Sequence, residues 1–240
     1  MTLLEKYKNG EMKEVYAEIQ KVGQDVFMPE NFPEVEAVLI ETFERVAYNL
    51  EVIYSELKNI NYVFYDRPYH KPLPNTDKLL KKLDKAVKDF GFVPLSLKYF
   101  YKIVGGVDFA WNYNKEKIVP WELADPIQIS SLDELVSYVT DEDWKEDILD
   151  YVDDEEDYGY AFLELSADEL HKDNVSGGSP YSLKIEEEPT VDSDFVDEPH
   201  NTTFIDYLRI CFDYCGFPGN PDNEDYHELV AKVRPKLKQI

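Results

Sequence analysis

Between Val35 and Leu57 the chain repeats apolar residues at a spacing that only a long helix satisfies. Val35, Val38, Leu39, Thr42, Phe43, Val46, Ala47, Leu50, Ile53, Tyr54 and Leu57 follow i, i+3, i+4, i+7 order, which gathers them on one face of a helix of about 25 residues. Pro33 suits its start, because a proline in the first turn gives up no hydrogen bond. A stripe this wide cannot face water, so the rest of the chain or a second copy must cover it. A shorter helix over 11–22 is expected beside it. "NYVFYDRPYHKPLPN" (61–75) then reads as a strand and a proline-rich connector. The expected boundary therefore separates a helical extension, 1–70, from a domain, 71–240.

Beyond Thr76 the pattern changes twice. Leu79, Leu80, Leu83, Val87 and Phe90 make a helix stopped at Gly91. Pro94 precedes a second apolar helix, "LSLKYFYKIV", which runs straight into Gly105-Gly106. Short strands follow in "VDFAWNY", "PIQIS", "YAFLEL" and "YSLKI", with one helix over 132–139 and a turn-rich hairpin link, "HKDNVSGGSPY". "TTFIDYLRICFDYCGFPG" and "EDYHELVAKVRPKLKQI" close the chain as helices, the last ended or bent near Pro235. Helices, then strands, then helices predict an α+β fold: a central, mainly antiparallel sheet with helices packed on it, plus the N-terminal helical extension.

The Gly105-Gly106 pair invites a phosphate-binding reading and fails it. A dinucleotide fingerprint has a strand before its glycines and a helix after, the reverse of the order here, and no P-loop Lys-Ser or Lys-Thr follows. The pair is expected to terminate a helix. His70, His171, His200 and His227 lie far apart, and Cys211 and Cys215 sit four apart in an apolar helical run, so neither metal spacing nor a disulfide framework is expected. In "DDEEDYGYAFLE" a calcium loop would need glycine where Tyr158 stands. No nucleophile motif occurs. The expectation is a non-enzymatic chain with no metal and no cofactor; a divalent-ion hydrolase using its many carboxylates is the competing enzyme reading.

Charge narrows the partners. With 50 acidic and 25 basic residues, the net charge of −25 opposes contact with nucleic acid or an anionic membrane and favours a cationic partner. No run of 18 apolar residues offers a membrane span, and the charged start has no apolar signal region, so a cytoplasmic location is expected. The charge is also polarised: residues 133–200 hold 24 acids and three bases, while 71–102 hold eight lysines and three acids. Within the acidic block Trp144, Tyr151 and Tyr158 are interleaved with Asp153, Asp154, Glu155, Glu156 and Asp157. Rings as anchors and carboxylates as steering groups form the expected surface for a basic protein.

Four segments in order carry a family resemblance: "VPLSLKYFYKIVGGVDF" (93–109), "ADPIQISSLDEL" (124–135), "FLELSADELHKDNVSGGSPYSLKI" (162–185) and "TTFIDYLRICFDYCGFPG" (202–219). Over residues 73–240 the chain resembles the SUKH superfamily, which includes the yeast glucan-synthesis regulator and many bacterial immunity proteins. The resemblance implies a sheet with helices packed on it, no enzymatic activity, and a protein-binding role. In many bacterial members that role is the neutralisation of toxins, often nucleases. A housekeeping regulatory or scaffold role is the alternative within the same fold. Two segments depart from the family pattern: the N-terminal helices, and "TDEDWKEDILDYVDDEEDYGY" (140–160), which reads as an enlarged acidic loop.

Overall fold

The long stripe is covered by the chain's own domain. The computed structural model describes residues 1–115, 121–153 and 158–240. Helix α1 (Leu3–Lys8) opens on a capping box between Thr2 and Glu5, and α2 (Met12–Val22) leads through a 3₁₀ turn into α3 (Phe32–Asn59). Val35, Val38, Leu39, Phe43, Val46, Leu50, Ile53 and Leu57 are all buried. They pack against α1, α5 (Leu95–Ile103) and α10 (Glu224–Val233). Phe43 meets Phe100 of α5 edge to face, with ring centres 6.3 Å apart. Residues on both sides of position 70 thus belong to one apolar core. Strand β1 (Tyr69–His70) also pairs across the expected boundary with β2 (Gly106–Asp108).

The strands form two small antiparallel sheets. The first has the order β1-β2-β3, with β3 at Gln128–Ile129. The second is a meander of β4 (Phe162–Ser166), β5 (Tyr181–Lys184), β6 (Asp194–Val196) and β7 (Thr202–Thr203). Ser130 N–H donates to the Leu165 carbonyl at 2.8 Å, and Ala167 N–H to the Gln128 side chain at 2.9 Å, so β3 and β4 adjoin. The strands of "VDFAWNY", "PIQIS", "YAFLEL" and "YSLKI" are where periodicity places them; β6 and β7 were not expected. Helices α4 (Thr76–Val87), α6 (Leu132–Val139) and α9 (Phe204–Asp213) complete the α+β fold with a helical N-terminal region. Trp111 and Trp121 join Tyr62 in the core, at ring distances of 4.9 and 5.8 Å.

Two features fix the joints. At the end of α5, both Val104 and Gly105 donate to the Phe100 carbonyl, and Gly105 takes φ +103 with the His70 carbonyl against its Cα. Deeper in, Lys172 closes the four-residue helix α8 (Glu169–Lys172), its side chain 0% exposed. Its ammonium lies 2.6 Å from Asp125 Oδ1 and 4.5 Å from the centre of the Tyr181 ring.

A surface joint gives a pH prediction. Glu56 of α3 takes ion pairs from Lys232 and Lys236, both at 2.6 Å, tying the end of the chain to the long helix. Hydrogen bonds from Lys232 and Lys236 hold its carboxyl down at about 2. A depressed carboxylate adds stability that is complete above its unfolded value of about 4.3 and is lost as pH falls toward 2. Glu56→Gln should therefore melt below the parent at neutral pH, with the gap closing under about pH 3. Melting curves of the two proteins across pH test this; a gap that persists in acid would contradict it.

Candidate protein-binding surface

The acidic segment expected as a loop begins as a helix. Helix α7 (Glu142–Asp153) follows α6 after a short turn. Trp144 and Ile148, four residues apart, are its buried pair, and Val152 is half-buried one turn on. That i, i+4 spacing was readable in "DEDWKEDILDYV"; the density of carboxylates obscured it. Trp144 is 2% exposed and packs edge to face on Phe90 at 5.7 Å. It is thus a core residue, not a ring offered to a partner.

The outward face carries the charge. Glu142, Asp143, Glu146, Asp147 and Asp150 are exposed and make no ion pair among the described residues. Lys145 turns away to Asp89 at the end of α4, 2.6 Å distant, and lowers that carboxyl below the usual range. The lysine-bearing helix α4 packs on α6, yet among the described residues none of its lysines pairs with an α7 carboxylate. Glu142 and Asp143 suit the positive end of the helix dipole, but no basic residue stands in its last turn. Carboxylates there work against helix stability by a few tenths of a kcal/mol each.

Between α6 and α7 lies a notch of about 550 Å³ lined by Glu134, Ser137, Tyr138, Asp141, Asp143, Trp144 and Asp147. Glu134 is engaged in the Ser131 capping box and Asp141 Oδ1 accepts from Asp143 N–H at 3.2 Å, while the carboxylates of Asp143 and Asp147 make no ion pair among the described residues. At its edge, burial raises Glu164 above the ordinary carboxylate range, a hydrogen bond from Tyr138 opposes the shift, and Asp147 adds to it. The Tyr138 hydroxyl is pushed up in turn by burial and by Glu164. A guanidinium or ammonium entering here would stabilise ionised Glu164 and meet carboxylates that have no ion-pair partner among the described residues.

The other expected site residues divide. Tyr151 is 38% exposed and packs on Phe162 at 5.2 Å and edge to face on Tyr158 at 5.5 Å. Tyr158 is half-buried, and its hydroxyl donates to Asp197 at 2.7 Å. These two rings do share one surface beside α7. Asp154, Glu155, Glu156 and Asp157 lie outside the described residues, as does the side chain of Asp153. Sequence reasoning passed over Tyr138, Leu149 and the notch. Leu149, 43% exposed, and Tyr138, 40% exposed, are apolar groups standing among the acids.

Elsewhere the titratable groups are dispersed. His171 is held by Asp168 and His200 by Glu198, each pair on its own. Among the described residues no three His, Cys, Asp or Glu side chains are placed to share a metal ion. Both cysteines are buried and unbridged, and burial pushes the Cys215 thiol up to about 12. No helix among the described residues is long and apolar enough to cross a membrane.

No family model, no curated protein and no solved structure matches this chain.

Proposed function

We propose that this chain is a non-enzymatic protein-binding module whose α6–α7 surface receives a basic protein. The observation that carries the reading is the set of five exposed α7 carboxylates without an ion-pair partner among the described residues, beside a carboxylate-lined notch of about 550 Å³. Charges arranged in this way raise the encounter rate with a cationic partner, and Tyr138, Leu149 and Tyr151 supply contact area that can hold the complex. The resemblance of residues 73–240 to the SUKH superfamily gives the form of binding proposed: an immunity protein that occludes the active surface of a basic toxin in the cytoplasm.

The test uses the partner captured from the native host and its binding kinetics. Glu142, Asp143, Glu146, Asp147 and Asp150 changed together to their amides should slow association about tenfold or more at low salt, with the fold intact. Salt should slow the parent in the same way, since exposed charges are screened beyond about 8 Å at physiological ionic strength. Leu149→Ala or Tyr151→Ala should instead speed dissociation. An acidic partner, or association indifferent to both salt and the five amides, would end this reading.

A further inference from the structure

Cations of this chain sit repeatedly between a tyrosine ring and a carboxylate. Lys172 does so between Tyr181 and Asp125. Lys184 lies 5.3 Å from the centre of the Tyr160 ring and pairs with Glu186 at 3.3 Å. Among the described residues each of these lysines serves one carboxylate. The arginines serve more acceptors. Arg45 stands 4.9 Å from the Tyr7 ring centre while donating to Glu41 at 2.8 Å and to the Gln239 carbonyl at 3.0 Å. Arg209 stands 5.1 Å from that of Tyr16 while donating to Asp206 at 2.6 Å and to the Ile240 main-chain oxygen at 2.8 Å. A guanidinium can do both because its planar fork keeps the edge donors free when its face is stacked.

The α6–α7 notch offers the same groups without a cation. Tyr138, 40% exposed, lines it with Asp143 and Asp147, and Glu164 takes the Tyr138 hydroxyl at its edge. Among the described residues no base lines the notch and no cation stands over Tyr138. Three carboxylates around one ring exceed what Lys172 or Lys184 serves and suit the several donors of a guanidinium. A separate observation points to a peptide and not to a bare cation. Trp144 also lines the notch, is 2% exposed, and its Nε1–H finds no acceptor among the described residues. A buried donor without an acceptor is destabilising, and a main-chain carbonyl next to the incoming side chain would supply one.

We propose that the notch is an arginine seat: an arginine of the partner protein stacks on Tyr138, shares its N–H donors among Asp143, Asp147 and Glu164, and brings a main-chain carbonyl to Trp144 Nε1–H. Resting on the reading of α6–α7 as the binding surface, the seat names which base of a basic partner that surface selects. A lysine in the same place keeps the charge but loses the stacked plane and the paired edge donors. The seat therefore distinguishes the two bases, which steering by net charge does not.

Two end-blocked synthetic peptides that differ only in the cation, Gly-Ala-Arg-Ala-Gly and Gly-Ala-Lys-Ala-Gly, test the seat by titration into the full chain at low salt. The arginine peptide should bind at least about tenfold more tightly than the lysine peptide. Tyr138→Leu should bring that ratio to about one, and Tyr138→Phe, which keeps the ring, should preserve it. On the unaltered chain the indole N–H resonance of Trp144 should shift with the arginine peptide. Those of Trp111 and Trp121, packed around Tyr62, should stay in place. Should Tyr138→Leu unfold, the Trp144 resonance decides. Equal binding of the two peptides, a ratio that survives Tyr138→Leu, an unmoved Trp144 signal, or no arginine-peptide binding up to about 10 mM each overturns the seat. None of these results overturns the wider α6–α7 reading, which stands or falls on the kinetics of the captured partner.

Discussion

Lys172→Met is expected to cost the fold about 3–5 kcal/mol, because it leaves Asp125 charged in the interior without its counterion. Both partners are almost fully enclosed, at 0% and 2% side-chain exposure, and Asp125 Oδ2, the oxygen away from the lysine, has no hydrogen bond among the described residues. The loss should come from the abandoned carboxylate more than from the missing attraction. Lys172→Met combined with Asp125→Asn should therefore be more stable than Lys172→Met alone. Asparagine is the suitable replacement, since residue 125 holds φ +49, a left-handed conformation that asparagine tolerates. Denaturant unfolding of the parent, both single variants and the double variant measures the coupling. Lys172→Met within about 1 kcal/mol of the parent would mean that water reaches the pair.

Gly105→Val should lower stability by about 3 kcal/mol or more, shifting the melting temperature by about 6–12 °C. Loss of the helix cap accounts for only about 1 kcal/mol of this. The larger part is the close approach of β1: a Cβ at this position would stand 2.0 Å from the His70 carbonyl oxygen and 2.7 Å from the Lys71 carbonyl carbon. Backbone cannot swing aside as a side chain can, so Gly105→Ala should be nearly as damaging. Thermal unfolding of both variants separates the accounts. A mild alanine variant would leave capping as the whole role.

The contrast between Gly105 and His70 marks what could be read from sequence. The helix running into two glycines, the stripe from Val35 to Leu57 and the stop at Gly91 are local patterns, and local patterns fix helices well. That His70 would lie against Gly105 depends on β1 pairing with β2 across 35 intervening residues. No periodicity encodes that approach. The same holds for Lys172 and Asp125, 47 apart in sequence, and for Asn49, whose side chain bonds the N–H and the carbonyl of Lys238. The short strands β6 and β7 escaped because the polar run around them, "DSDFVDEPHNTT", shows no apolar alternation to detect.

The candidate surface was legible as composition and hidden as geometry. Carboxylates interleaved with aromatics drew attention to 140–160, but which rings turn inward depends on α7 being a helix. Once it is, Trp144, Ile148 and Tyr151, at i, i+4 and i+7, must share the inward face, where Tyr151 near the helix end keeps 38% exposure, and Leu149 falls on the outer one. Tyr138 enters only because α6 packs next to α7. The carboxylates at the negative end of α7 are a local conflict with helix stability, and such conflicts are retained most readily where a surface is used.

Hydrogen exchange on the chain with and without its captured partner locates the interface most directly. Binding through the α6–α7 surface should protect amides of α6 and α7 and of residues 158–162, leaving those of α4 and α5 unchanged. Protection confined to the lysine-bearing helices α4 and α5, with α7 exchanging as in the free chain, would contradict the account.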